Sequence, residues 1–223
     1  SGNPVEATGD EQVELFRSVK AGNGRVEIAL TDGGTLSAAQ VNDLSVAGTA
    51  NCYVVSAPGT YVFNARVRGN GAGEGVGFEP AIEMADGMTA DWLWTDSEGL
   101  VSGVALDTTS GDIFLTVGEG RGNALVALMQ DGKVVWSWHV WVTDAPQTMT
   151  YGNGTVFMDR NLGAAGTTAG GTDAYGMYYQ WGRKDPFYGG EKTETSANAF
   201  LEAKNGTVVN PAYPALDWAF SKS

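Results

Sequence analysis

The strongest pattern along the chain is a two-residue alternation from Lys133 to Thr143. Val134, Trp136, Trp138, Val140 and Val142 fall on one side of a predicted strand, and Val135, Ser137, His139, Trp141 and Thr143 on the other. The first set is wholly apolar and the second mixed, as expected of a sheet that packs one face against a core. The preceding apolar run, Asn123–Met129, is joined to it by Gln130-Asp131-Gly132. Asp-Gly between two such runs predicts a hairpin with a primed turn, whose twist matches that of the strands. Further β-branched and aromatic runs predict strands over Asn51–Val55, Thr60–Val67, Asp91–Thr95, Val101–Leu106 and Asp112–Val117. Between the first two, Ala57-Pro58-Gly59 offers proline to preset φ and glycine for a left-handed position, which predicts a type II turn closing a hairpin. About seven short strands within residues 37–146 predict an immunoglobulin-like β-sandwich.

Outside that block the pattern thins. In residues 1–36 only Arg25–Leu30 alternates, placing Val26, Ile28 and Leu30 on one face before Asp32-Gly33-Gly34 turns the chain. One strand does not make a domain, so this β segment is expected to pair with the middle block or with another chain. Pro146 closes the sandwich, because proline has no donor for a central ladder. Residues 147–223 read as a loop-rich module, with a glycine-rich loop over Gly163–Thr172 and one short helix over Ser196–Lys204, capped by Ser196 and stopped by Asn205-Gly206.

Composition narrows the chemistry. The 223 residues carry 13 Lys+Arg against 26 Asp+Glu, a formal charge of −13, which disfavours nucleic acid and anionic membrane as partners. Most of that charge sits in residues 37–146, with thirteen acids against four bases. Cys52 and His139 are the only residues of their kinds, too few for a structural zinc site, and no cofactor is expected. A serine or cysteine nucleophile would have to use His139, which lies inside a predicted strand and reads as a packed or edge histidine. Cys52 reads as a small buried hydrophobe. The carboxylates are dispersed, so a glycosidase pair is left open but unmarked. Asp107–Asp112 resembles a calcium loop in composition alone and reads as a turn, as do Asn153-Gly154-Thr155 and Asn205-Gly206-Thr207 despite matching the glycosylation sequon.

The densest concentration of side-chain chemistry is Tyr175–Tyr188. Within it Tyr178, Tyr179, Trp181, Arg183 and Asp185 are the candidate ligand-binding residues, since rings beside polar groups stack on sugars or peptides. The same rings would serve as the core of a small loop-rich domain, and Arg183 with Asp185 would then form a salt bridge.

Four phrases in order carry a family resemblance: Ala50–Tyr61, Trp136–Asp144, Met158–Ala164 and Gly176–Phe187. Together they resemble fimbrillin-like and fimbrial-tip surface proteins of Bacteroides-type bacteria. The last two are similar to the start of the FISUMP (Fibrobacter succinogenes major paralogous) domain, whose fold is thought to relate to C-type-lectin-like modules. The resemblance implies a non-enzymatic structural or adhesive protein of the cell surface or outer membrane, in a fimbrium or as a lipoprotein. It also implies a sandwich followed by a lectin-like α+β module cut short at Ser223. Other fimbrial subunits, surface proteins, a glycan or a host protein would be the partners, with anchoring outside this chain. A carbohydrate-binding module of a glycan-uptake system and a glycosidase-type enzyme are the alternatives. In an assembling subunit, the alternation of Val26, Ile28 and Leu30 would suit a strand donated to, or receiving, a neighbour's sheet edge.

Overall fold

In the computed structural model, which describes residues 19–21, 24–31, 35–69, 80–179, 183–187 and 202–203, the alternating runs become strands of two mixed sheets. In chain order these are β1 (Val19–Ala21), β2 (Gly24–Thr31), β3 (Thr35–Asp43), β4 (Cys52–Val55), β5 (Gly59–Asn64), β6 (Met88–Thr95), β7 (Val101–Asp107), β8 (Asp112–Val117), β9 (Gly122–Gln130) and β10 (Lys133–Val142). A separate hairpin follows, β11 (Thr148–Thr150) with β12 (Val156–Met158), and then a short β13 (Glu202–Ala203). The first sheet runs β1-β2-β3-β5-β8-β7 and the second β13-β6-β9-β10-β4. Pairing is antiparallel except for β3 with β5 and β4 with β10. The protein is mainly β. Among the described residues the one helical element is a single 3-10 turn at Thr172–Ala174.

The two sheets share one apolar core. Tyr61, Phe63, Ile113, Leu115 and Val117 of the first meet Val126, Leu128, Trp136, Trp138, Val140 and Val142 of the second, all nearly or wholly buried. Phe63 packs at 5.1 Å between ring centroids from Trp138 and Tyr53 at 5.0 Å from Phe63, distances at which tilted aromatic pairs add to their area burial. The β9–β10 turn is the predicted primed type, with Asp131 at φ 51° and Gly132 at φ 74°.

Three expectations are corrected. First, the link Ala57-Pro58-Gly59 does not close a hairpin: β4 pairs with β10 and β5 with β3 and β8, so the link crosses between sheets. Gly59 takes φ 150° rather than the roughly 80° of a type II turn, so the link bends without forming the expected turn, and the Tyr61 hydroxyl donates to the Ala57 carbonyl at 2.6 Å across it. Second, β10 carries a bulge between Val134 and Trp136. The extra residue moves Val134 from the Trp136 face to the opposite one, where it joins Leu93, Trp94, Leu125 and Ala127, while Val135 lies against the main core. Third, Glu202 and Ala203, placed in the predicted helix Ser196–Lys204, form β13 opposite Thr95 and Trp94. Residues 196–201 and 204 of that helix lie outside the described residues, as does the glycine-rich stretch 70–77.

Val26, Ile28 and Leu30 lie on β2, which pairs with β3 over Arg25–Thr31 and with β1 over Gly24–Val26. The described part of residues 147–223 is hairpin, 3-10 turn and loop rather than α+β. From Arg160 to Phe187 it lies against the outer face of the second sheet, and that contact forms the site below.

Candidate functional site

The bulge in β10 determines which polar residues meet. A two-residue turn alone would set Asn123 opposite Val140, on the core side. The additional residue sets it opposite Trp141, on the outer face with Ser137 and His139. There His139 is 1% exposed. Its Nε2 lies 2.8 Å from Asn123 Oδ1 and its Nδ1 3.2 Å from Cys52 Sγ. Asn123 in turn donates from Nδ2 to Asp96 Oδ2 at 2.7 Å and to the Gly163 carbonyl at 2.9 Å, and its backbone N–H donates to Asp96 Oδ1. Both amide protons of Asn123 are thereby committed, so Oδ1 can only accept. It follows that His139 carries its proton on Nε2, that Nδ1 accepts, and that the Cys52 thiol donates.

A second cluster lies further along the same face. Lys184 Nζ donates to the Ser137 carbonyl at 2.7 Å, to Ser137 Oγ at 2.8 Å and to both Asp185 oxygens at 2.7 and 2.8 Å. Ser137 Oγ donates to Asp185 Oδ2 at 2.6 Å. The side chains of Lys184 and Asp185 are 2% and 1% exposed, so this is a buried ion pair, and its ammonium also lies 4.5 Å from the Trp136 ring centroid. A third cluster closes the lower end. Arg160 donates to Asp159 through Nε at 2.8 Å and Nη2 at 3.0 Å, and to Asp144 through Nη1 and Nη2, both at 3.0 Å. Trp141 Nε1 donates to the Ala164 carbonyl at 2.9 Å, and Thr143 Oγ1 to that of Ala165 at 3.2 Å. Gly163 sits at φ 81°, and a Cβ there would lie 2.5 Å from Met177 Cγ, so the close approach requires glycine.

Cys52, His139 and Asn123 are linked atom for atom as in a thiol-hydrolase relay, which makes catalysis the first possibility to weigh. The electrostatics run the wrong way. Burial pushes the Cys52 thiol up to about 12, with the Asp185 carboxylate adding to the shift. Burial lowers His139 to about 4, with Asp185 opposing and Lys184 reinforcing that shift. A nucleophilic cysteine needs the thiolate, stabilised by an imidazolium or another cation. Here both partners are held neutral. The two described surface depressions, of about 250 and 520 Å³, include none of Cys52, His139 or Asn123 in their walls. Nor does any group of three or more His, Cys, Asp or Glu among the described residues stand where it could hold a metal ion. The arrangement fastens Arg160–Phe187 to the sandwich, and its polar groups answer one another.

The predicted site residues separate. Asp185 is buried in the pair with Lys184, which corrects the expected Arg183–Asp185 bridge. Arg183 stacks instead on Phe187 at 4.6 Å. Tyr178 and Tyr179 are 58% and 38% exposed; burial raises the Tyr179 hydroxyl's pKa, and Cys52 and Asp185 add to the shift. Trp181 lies outside the described residues. Cys52 is exposed as a residue along edge strand β4, while its thiol is turned inward onto His139 and desolvated there, so only the sulfur matches the expected buried hydrophobe. Sequence reasoning singled out neither Asn123, Asp96, Lys184 nor Arg160. Polar residues recurring within a strongly apolar hairpin were the available signal, since a buried polar group implies a partner.

All four phrases of the family resemblance meet in this joint. Cys52 belongs to the first, Ser137, His139, Trp141 and Asp144 to the second, Arg160, Gly163 and Ala164 to the third, and Lys184 with Asp185 to the fourth. The chain matches no family model, and no curated protein matches it.

Proposed function

We propose that the protein is a non-enzymatic structural or adhesive component of a bacterial cell surface, of the fimbrial tip or accessory kind. One observation carries the reading: the segments through which it resembles fimbrillin-like and FISUMP proteins lie far apart in sequence yet interlock at one sealed joint. What those segments have in common is then mechanical, a rigid coupling between a sandwich and the chain that follows, rather than a reaction centre. The strand order supports an immunoglobulin-like assignment for the sandwich: β5-β8-β7 stacks on β6-β9-β10, with β4 joining β10 in parallel. The parallel β3–β5 pair is its departure from that pattern. On this reading the chain after Phe187 continues a lectin-like module, and the partners are other fimbrial or surface proteins at the outer membrane. Immunogold labelling of intact cells tests it. Gold on filament ends or on the envelope supports the proposal, and label that appears only after permeabilisation refutes it.

A carbohydrate-binding role is favoured by one further observation, the exposure of Tyr175, Tyr178 and Tyr179 within five residues of the covering loop. A glycan array with the purified chain separates the two readings, because the purely structural one predicts no ligand.

A further inference from the structure

The hairpin β11–β12 stands apart from both sheets. It is a two-stranded sheet of its own, and every residue from Gln147 to Asp159 is exposed. Six of the eleven large apolar side chains exposed among the described residues lie on it or just past its end: Met149, Tyr151, Val156, Phe157, Met158 and Leu162. An isolated two-stranded hairpin is marginal in water, and this one is apolar where a solvated hairpin is polar. Residues 145–158 contain no charged side chain, and the flanking acids Asp144 and Asp159 are both held by Arg160. In a chain of formal charge −13, two copies repel across most of their surface and least across this element.

The ladder decides what the hairpin offers a partner. Thr148 pairs with Met158, Met149 with Phe157 and Thr150 with Val156. The Tyr151 N–H donates to the Thr155 carbonyl and the Asp159 N–H to that of Gln147, so by alternation Met149 and Phe157 exchange bonds inside the hairpin. The backbone groups of Val156 and Met158 therefore point out of β12, and those of Thr148 and Thr150 out of β11. Among the described residues no strand pairs with either outer edge. Neither edge carries the charge that keeps natural edge strands apart. β12 also borders a depression of about 520 Å³ that Phe157, Met158 and Leu162 help to line.

We propose that β12 is a docking edge for a second copy of this chain, the two β12 strands pairing antiparallel about a two-fold axis at Phe157. Val156 of each copy then exchanges backbone hydrogen bonds with Met158 of the other, and the two Phe157 residues form the closer, non-hydrogen-bonded pair. Met149 and Phe157 of both copies line up as one apolar row across a four-stranded sheet. The same edge is used twice, so the contact closes at two copies, and the edges left outside present Thr148 and Thr150. Three residue pairs make a small interface of the weak, reversible class. The pairing goes beyond the surface role proposed above and does not depend on it.

Sedimentation equilibrium of the purified chain over about 5–500 µM tests the pairing. The mass should rise from 23.3 kDa toward twice that value. Added NaCl should move the rise to about threefold lower concentration or further, because screening weakens the repulsion between anionic copies. Val156→Pro removes an outward donor and should keep the chain monomeric, whereas Thr150→Pro, the matching change on β11, should leave the doubling intact. Phe157→Cys supplies a readout that does not rely on proline: mild oxidation should cross-link two copies at that position, where the Cα atoms of a non-hydrogen-bonded pair stand close enough for a disulfide. The unaltered chain, whose one cysteine thiol is turned onto His139, should stay uncross-linked. The proposal is overturned if the mass stays at the monomer value, if it grows beyond two copies, or if salt weakens the association. It is equally overturned if Thr150→Pro acts as strongly as Val156→Pro, or if Phe157→Cys gives no cross-linked dimer.

Discussion

The two faces of β10 are equally dry and are held by different physics. On the inner face Trp136, Trp138, Val140 and Val142 are sealed by apolar contact with the opposite sheet. That contact is non-directional and scales with area, so similar shapes can replace one another at modest cost. On the outer face Ser137 and His139 are 0% and 1% exposed, sealed by hydrogen bonds to Asp185, Asn123 and Cys52. Those contacts are directional and reciprocal, and losing one member leaves the others buried without a partner. The first face makes the sandwich, and the second fixes what lies on it.

The largest effects test that distinction directly. Trp138→Ala should cost about 3–5 kcal/mol through the cavity it leaves, measured by urea unfolding. Asp185→Ala should cost a similar amount, about 3–5 kcal/mol, because it strands the buried Lys184 ammonium. The contrast lies in rescue. Replacing the pair together, Lys184→Met with Asp185→Leu, should recover most of the outer-face loss, whereas no polar partner change recovers Trp138→Ala.

Acid should act next, and first through His139 on the outer face. The folded pKa of His139, about 4, lies below the ordinary 6.5. Between those values the unfolded chain binds a proton that the native chain refuses, so stability falls as pH drops from 6.5 to 4, by about 3 kcal/mol in all. His139→Gln should flatten that slope while lowering stability at neutral pH, as read from melting temperature against pH. Asp144 has the depressed-carboxylate sign: hydrogen bonding from Arg160 lowers it from 3.8 to about 2, so its contribution is present above 3.8 and lost as pH falls through about 2. The acid limb should therefore show two separate windows.

Gly163→Ala should cost more than about 1 kcal/mol, from a left-handed φ of 81° and the collision with Met177. The smallest effect belongs to the hairpin that neither face encloses. Val156→Thr, at a residue 57% exposed, should stay within about 0.5 kcal/mol.

The inner face was legible in the sequence because alternation and burial coincide there, and the Asp131-Gly132 turn and the bounds of β8 follow from local chemistry. The outer face was not. Its placement depends on a bulge that leaves no mark in the apolar pattern, Val134 and Val135 being alike as hydrophobes. Its partners arrive from distant parts of the chain: Asn123 meets Gly163, and Ser137 meets Asp185, across more than 39 residues of sequence in each case. The link Ala57-Pro58-Gly59 shows the same limit, for local chemistry specifies a change of direction but not the ladder each flank joins. The four phrases that carry the family resemblance meet at this joint, which their order along the sequence does not indicate.

Because the chain has a single histidine, the account can be tested on one resonance. A proton NMR titration of the His139 ring should show the neutral Nε2–H tautomer through the physiological range and a midpoint near pH 4. A midpoint at or above 6.5, with the Cys52 thiol ionising in the same range, would reveal an ion-paired thiolate in place of a sealed joint and would contradict the central claim.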